Sequence, residues 1–269
     1  MKTYNTIAVT DTDQIRTITL HRPERRNAMT PEMQLELISA LEDTAAHSAR
    51  VLVLSGAGDA FCSGLDLSAL QAMQEASASD HRAAAEQLAR LFLALYEMPM
   101  PTIAAVHGAA IAGGAGLAIL CDFTLATPDA KFGFTEVRIG FVPALVSAFL
   151  TLQIQEKHVR DLLLTGRIID AAGAHLLGLV SEIVPRDQLS DRIKALADLL
   201  IANSPEALKA TKHLLVAQHK PWLDAAVAQA LEANADSRQT EDFREGVTAF
   251  LEKRKPVWGK GSRAKAKRS

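Results

Sequence analysis

Two glycine-bearing segments and one glutamate have the residue types and surroundings best suited to chemistry in this chain. His107-Gly108-Ala109-Ala110-Ile111-Ala112-Gly113-Gly114-Ala115-Gly116-Leu117 sets a glycine pair between an apolar strand pattern and a short apolar helix pattern. Glycines at such a junction let main-chain N–H groups face a ligand at a helix N-terminus, where the dipole favours negative charge. Close packing of the helix explains the same pair equally well. Gly58-Asp59-Ala60-Phe61-Cys62-Ser63-Gly64-Leu65-Asp66-Leu67 follows another apolar run and leads into a helix that Asp66 or Ser68 can cap, offering one more exposed N–H beside Gly64. Glu136 stands among Phe132, Phe134, Val137, Ile139 and Phe141, surroundings that raise a carboxyl pKa toward neutrality and suit proton transfer. A surface position, paired with Arg138, is the alternative.

Other chemistries are disfavoured by what is missing around these residues. Cys62 and Ser63 have no histidine or acid nearby, and Ser63 lies outside a Gly-x-Ser-x-Gly elbow, so a covalent nucleophile is not indicated. No Gly-Lys-Ser/Thr follows the glycine pair and no acid sits correctly downstream, which argues against phosphate-loop and dinucleotide fingerprints. The histidines show no ligand spacing, so no metal is expected.

The elements that must position these residues follow from periodicity. Ile7-Ala8-Val9 and Ile15 to Leu20 alternate as two strands around an Asp11-Thr12-Asp13 turn. Thr30-Pro31-Glu32 opens a helix, with threonine as cap and proline at the first helical position. Val51–Leu54 and Thr102–Val106 read as buried strands, 80–97 as a long helix, 115–120 as a short buried helix and 122–126 as a further strand. Beyond Phe149 the pattern turns helical, at 156–164, 170–176, 188–202, 205–218, 222–235 and 241–253, with 180–184 as the one convincing strand. The expected class is α/β: a core over 1–200, then a helical region over 201–269.

A chain of 269 residues, 48% hydrophobic and 22% charged, has the balance of a globular protein and can bury a sizeable core. Every apolar run is interrupted well short of the roughly 18 residues that span a bilayer. The N-terminus lacks the pattern of a secretory or transit signal, and two cysteines are too few for a disulfide framework; a reduced, cytoplasmic setting is the expectation. Charge is uneven. From Glu252 onward eight basic residues face one acid, so the tail carries +7 and the rest about -9. That tail reads as solvated or as a contact for phosphate; nucleic-acid binding is disfavoured by the acidic body.

Taken together, these segments resemble the crotonase family of enoyl-CoA hydratases and isomerases. Phe61 to Leu67 resembles its first oxyanion segment and Gly108 through Cys121-Asp122 its second. His21-Arg22-Pro23-Glu24-Arg25-Arg26-Asn27-Ala28-Met29 is similar to its early CoA-contact stretch, Phe132 to Gly140 to its catalytic-glutamate segment, and Phe250 to Pro256 to its terminal helix. Five motifs in order span nearly the whole chain. The resemblance implies a spiral of ββα units with a helical trimerisation region, and a homotrimer or homohexamer. It also implies an acyl-CoA thioester as substrate, with no cofactor beyond the CoA that the substrate carries. It implies oxyanion donors at the amides of Leu65 and Gly113 and proton transfer at Glu136. CoA contacts are implied at Arg25, Cys62, Gly64, Asp66, Leu67, Phe250 and Lys253. The family's second glutamate position is Gly116 here, which leaves a one-glutamate chemistry. Hydration of a 2-enoyl-CoA is the first expectation, isomerisation of a 3-enoyl-CoA its rival, and the nearest motifs resemble methylglutaconyl-CoA-type hydratases.

Overall fold

The alternation of Val51-Leu52-Val53-Leu54 decides the layering. In a computed structural model that describes residues 2–259, the Leu67 side chain excepted, these four residues lie in a strand buried on both faces. Side chains alternate across a strand. Val51 and Val53 accordingly pack with Ile103, Ala105 and Leu125 on one face, whereas Leu52 and Leu54 join Ala104 and Val106 in the main core on the other.

In chain order the elements are β1 (Ile7–Thr12), β2 (Ile15–Leu20), α1 (Pro31–Ala45), β3 (Val51–Gly56), α2 (Leu67–Glu75), α3 (Ala78–Tyr96), β4 (Thr102–Val106), β5 (Ala109–Ile111), α4 (Gly113–Leu120), β6 (Phe123–Ala126) and β7 (Lys131–Gly133). Then come α5 (Ala144–Leu150), α6 (Glu156–Thr165), β8 (Ile168–Asp170), α7 (Ala171–Leu176), β9 (Glu182–Ile183), α8 (Leu189–Ile201), α9 (Pro205–Ser237) and α10 (Glu241–Leu251). The larger sheet runs β1-β2-β3-β4-β6-β9, antiparallel at β1–β2 and parallel elsewhere. A second sheet, β5-β7-β8, stands on the side of the glycine-rich segments. Helix α8 covers one face of the larger sheet through Leu189, Leu196 and Leu200. No helix among the described residues is long and apolar enough to cross a membrane.

Capping follows the sequence. The Thr30 hydroxyl accepts from the Met33 N–H at 3.1 Å, and Ser77 with Asp80 forms a reciprocal capping box that starts α3 two residues before the expected Asp80. Two expectations are corrected. The second sheet lies where only loops or helices are expected, because strands of three residues give too short an alternation to register. The expected break between 218 and 222 does not occur: α9 runs through Pro221. Pro221 and Ala217 are both exposed, so water can serve the carbonyl that loses its N–H partner. Leu223, Val227 and Ala230 meanwhile anchor the helix in the main core.

Candidate active site

The stretch from Cys62 to Asp66 is held from both sides by main-chain bonds. Cys62 N–H donates to Ala109 O, and Ile111 N–H donates to Cys62 O, both at 2.9 Å, tying the first loop to β5. Met29 N–H donates to Gly64 O at 2.7 Å, and Asp66 N–H to Met29 O at 3.0 Å. A bridge of this kind uses the residues flanking Leu65 and turns the Leu65 N–H the other way. That N–H makes no hydrogen bond among the described residues. Gly64 has φ +96°, a conformation that side chains rarely adopt, and its carbonyl could not otherwise reach Met29 while the chain turns back.

The second donor arises at the start of α4. Ala112 adopts φ 51°, ψ -122° at the N-cap, a sparsely populated region for alanine, and is pinned there by its N–H donating to Gly133 O at 2.7 Å. The next amide, Gly113 N–H, is unpartnered among the described residues and carries the partial positive charge of the helix start. A methyl group on Gly113 would meet only Met29 Cε at 3.4 Å, so the protein itself leaves that face open.

Leu65, Gly113 and Glu136 line one cavity of about 110 Å³ whose walls are mostly apolar, among them Met29, Phe92 and Phe141. Glu136 begins a 3-10 turn, Glu136–Ile139, directly beyond β7. Its Oε2 is buried without a hydrogen-bond partner. Burial pushes the carboxyl up to about 7, against a smaller opposing effect from its own N–H. The expected pairing with Arg138 does not form: Arg138 is exposed and has no ion pair among the described residues. Phe250 of α10 stands half-exposed on the cavity wall.

The remaining expected positions lie elsewhere. Cys62 spends both main-chain groups on β5, and its thiol is fully buried and pushed up to about 11 by that burial. Asp66 caps α2 and accepts from Arg22 Nη1 at 2.9 Å; these bonds from Ser68 and Arg22 outweigh burial and hold it below the usual carboxylate range. Arg25 and Lys253 are exposed, away from the cavity wall. The Leu67 side chain, and with it that contact, lies outside the described residues. So do Lys260, Arg263, Lys265, Lys267 and Arg268 of the tail, whereas Arg254 is clamped to Glu245 and Glu252.

Sequence reasoning missed the scaffold inside the His21–Met29 segment. Asn27 is fully buried, with its amide donating to Ala57 O and Ala60 O at 2.8 and 2.7 Å and accepting from Arg22 N–H. Arg22 and Asn27 thus shape the first loop from behind. A buried asparagine flanked by arginines reads as surface in one dimension, and no periodicity distinguishes it.

The family model described as enoyl-CoA hydratase/isomerase matches residues 10–261. The chain belongs to that family. It is 46% identical over 238 residues to a Thermus thermophilus protein named "Putative enoyl-CoA hydratase", covering 88% of this chain and 94% of that one. Likeness to the crotonyl-CoA hydratase of Syntrophomonas wolfei is 31% over 257 residues, or 94% and 97% of the two chains. Among solved structures, an enoyl-CoA hydratase/isomerase from Xanthobacter autotrophicus superposes with a TM-score of 0.86 at 30% identity, covering 93% of this chain and 97% of that one. In this enoyl-CoA hydratase/isomerase family member a Cβ at Gly116 would lie 2.6 Å from Phe92 Cζ. Phe92 is buried and packs edge-on against Phe149 at 6.0 Å, so a longer side chain at position 116 requires that ring to shift.

Proposed function

We propose that the protein hydrates a 2-enoyl-CoA to a 3-hydroxyacyl-CoA, with Glu136 as its single acid-base carboxyl. One observation carries this reading: a carboxyl with one buried, unpartnered oxygen shares an apolar cavity with two main-chain N–H groups that have no partner among the described residues. The thioester carbonyl oxygen accepts from Leu65 and Gly113. The Glu136 carboxylate takes one proton from water, the water oxygen bonds to C3, and the π electrons of the C2–C3 bond move onto the carbonyl oxygen as an enolate. Protonated Glu136 then gives its proton to C2, restoring the carbonyl. Because negative charge develops on the oxygen after binding, the two donors favour the transition state over the bound substrate, with about 2.7–4 kcal/mol at stake per donor. The exposed Arg25 and Lys253 and the half-exposed Phe250 are assigned to the CoA moiety, together with main-chain groups around Gly64 and Leu67. Isomerisation of a 3-enoyl-CoA uses the same groups without water.

The test is a panel of 2-enoyl-, 3-enoyl- and carboxylated enoyl-CoA thioesters offered to the wild-type enzyme and to Glu136→Gln. The variant should lose about 10²–10⁴-fold in kcat on every productive substrate, with acyl-CoA affinity nearly unchanged. Retention of most activity would assign the proton to another residue.

A further inference from the structure

The buried face of α9 turns polar toward the C-terminal end of the helix, at Asn234, Ser237 and the adjoining Arg238. Leu223, Val227 and Ala230 recur at helical spacing and face the main core, and the next position on that face is Asn234. Asn234 is 2% exposed, lines the same cavity as Glu136, and its Oδ1 is buried without a hydrogen-bond partner. Its side-chain nitrogen likewise makes no hydrogen bond among the described residues. A buried primary amide left unsatisfied is unfavourable. Arg238 Nε, one turn further along, is likewise buried without a partner, and of the two Asn234 lines the cavity, where its amide can meet a bound molecule.

We propose that Asn234 positions the attacking water, and this inference rests on the hydration reading above. Position 116 carries no carboxylate, and Phe92 of α3 fills the adjoining space. Helix α9 runs antiparallel along α3, with Lys220 paired to Glu97 at one end and Arg238 donating to His81 O at the other, and Phe92 and Asn234 both line the cavity. An amide can accept from a water and donate to it but cannot carry its proton. Glu136 removes one proton as the oxygen bonds to C3; the other O–H bond stays intact and donates to Asn234 Oδ1 throughout. Orientation and proton transfer, two tasks for one oxygen, are thereby divided between two helically remote side chains.

Asn234→Leu keeps the bulk and removes the hydrogen bonds. It should lower kcat for hydration of a short unsubstituted 2-enoyl-CoA by about 10–100-fold, the scale of a misplaced reactant, with KM changed by less than about threefold. Isomerisation of a 3-enoyl-CoA, which uses no water, should stay close to the wild-type rate. The melting temperature should hold or rise, since the unsatisfied amide is gone, and Asn234→Ser should recover part of the hydration rate. Parallel loss of both reactions, unchanged hydration, or a loss confined to 2-enoyl-CoAs bearing an oxygen substituent would each overturn the assignment. A wild-type enzyme that hydrates nothing in the panel would fell the hydration reading itself, whereas an active enzyme indifferent to Asn234→Leu would fell only this one.

Discussion

Glu136 sits in its cavity under a penalty that grows with pH. In the unfolded chain its carboxyl ionises near the ordinary value of 4.5, and in the folded protein burial holds ionisation off to about 7. Below 4.5 both states are protonated and the group is neutral to stability; between 4.5 and 7 the unfolded state alone releases the proton, so stability falls as pH rises, levelling off above 7. The whole effect is about 3 kcal/mol. Glu136→Gln should therefore gain stability over the wild type as pH increases from 4.5 to 8 in urea titrations; a difference independent of pH would show that the carboxyl is not held neutral by burial. In the wild type, hydration kcat/KM should climb through the same region near 7, since the ionised form takes the proton from water. At this scale the sequence was readable where chemistry restricts residue type, as at Glu136 and Gly113. It was mute at Ala112, whose strained φ leaves no mark on an alanine, and at Asn234, where the apolar repeat of Leu223, Val227 and Ala230 gives way to buried polar residues.

The turn that carries Glu136 is braced by α10. Gly246 of that helix lies against the main chain of Ile139, and Gly140 lies against Asp242 O and Phe243 N, so neither glycine has room for a Cβ. Phe141 completes the contact, with its ring centroid 5.7 Å from that of Phe243 and the Arg238 guanidinium 5.1 Å above it. Gly246→Ala should push α10 away from the turn, lowering stability by about 1–3 kcal/mol. It should also reduce kcat, because the turn that carries Glu136 moves with α10. Thermal unfolding and steady-state kinetics check both; a destabilised enzyme with normal kcat would mean that α10 does not set the Glu136 geometry. Strands β3 and β4 and helix α1 were legible because a continuous apolar run and a helix cap are local signals. The bracing was not, since nothing near Gly246 names Ile139 as its neighbour.

Across the whole molecule, α9 ties the C-terminal helical region to the main core through Leu223, Val227 and Ala230, while Leu214, Leu215 and Trp222 of the same helix are half-exposed or more. We propose that those side chains lie in the interface of the homotrimer or homohexamer that the family resemblance implies. Sedimentation at micromolar concentration should give a mass near three or six times 28.9 kDa, and Leu214→Glu with Leu215→Glu should lower it; a wild-type monomer would refute the proposal. The bracing of Ile139 by Gly246 also orders events in time. As the chain is synthesised, the loops bearing Leu65 and Gly113 and the turn bearing Glu136 all leave the ribosome before α10. The oxyanion loop at Leu65, the turn at Glu136 and the cavity wall at Phe250 therefore all wait for residues 241–251 to emerge and pack before the site is whole.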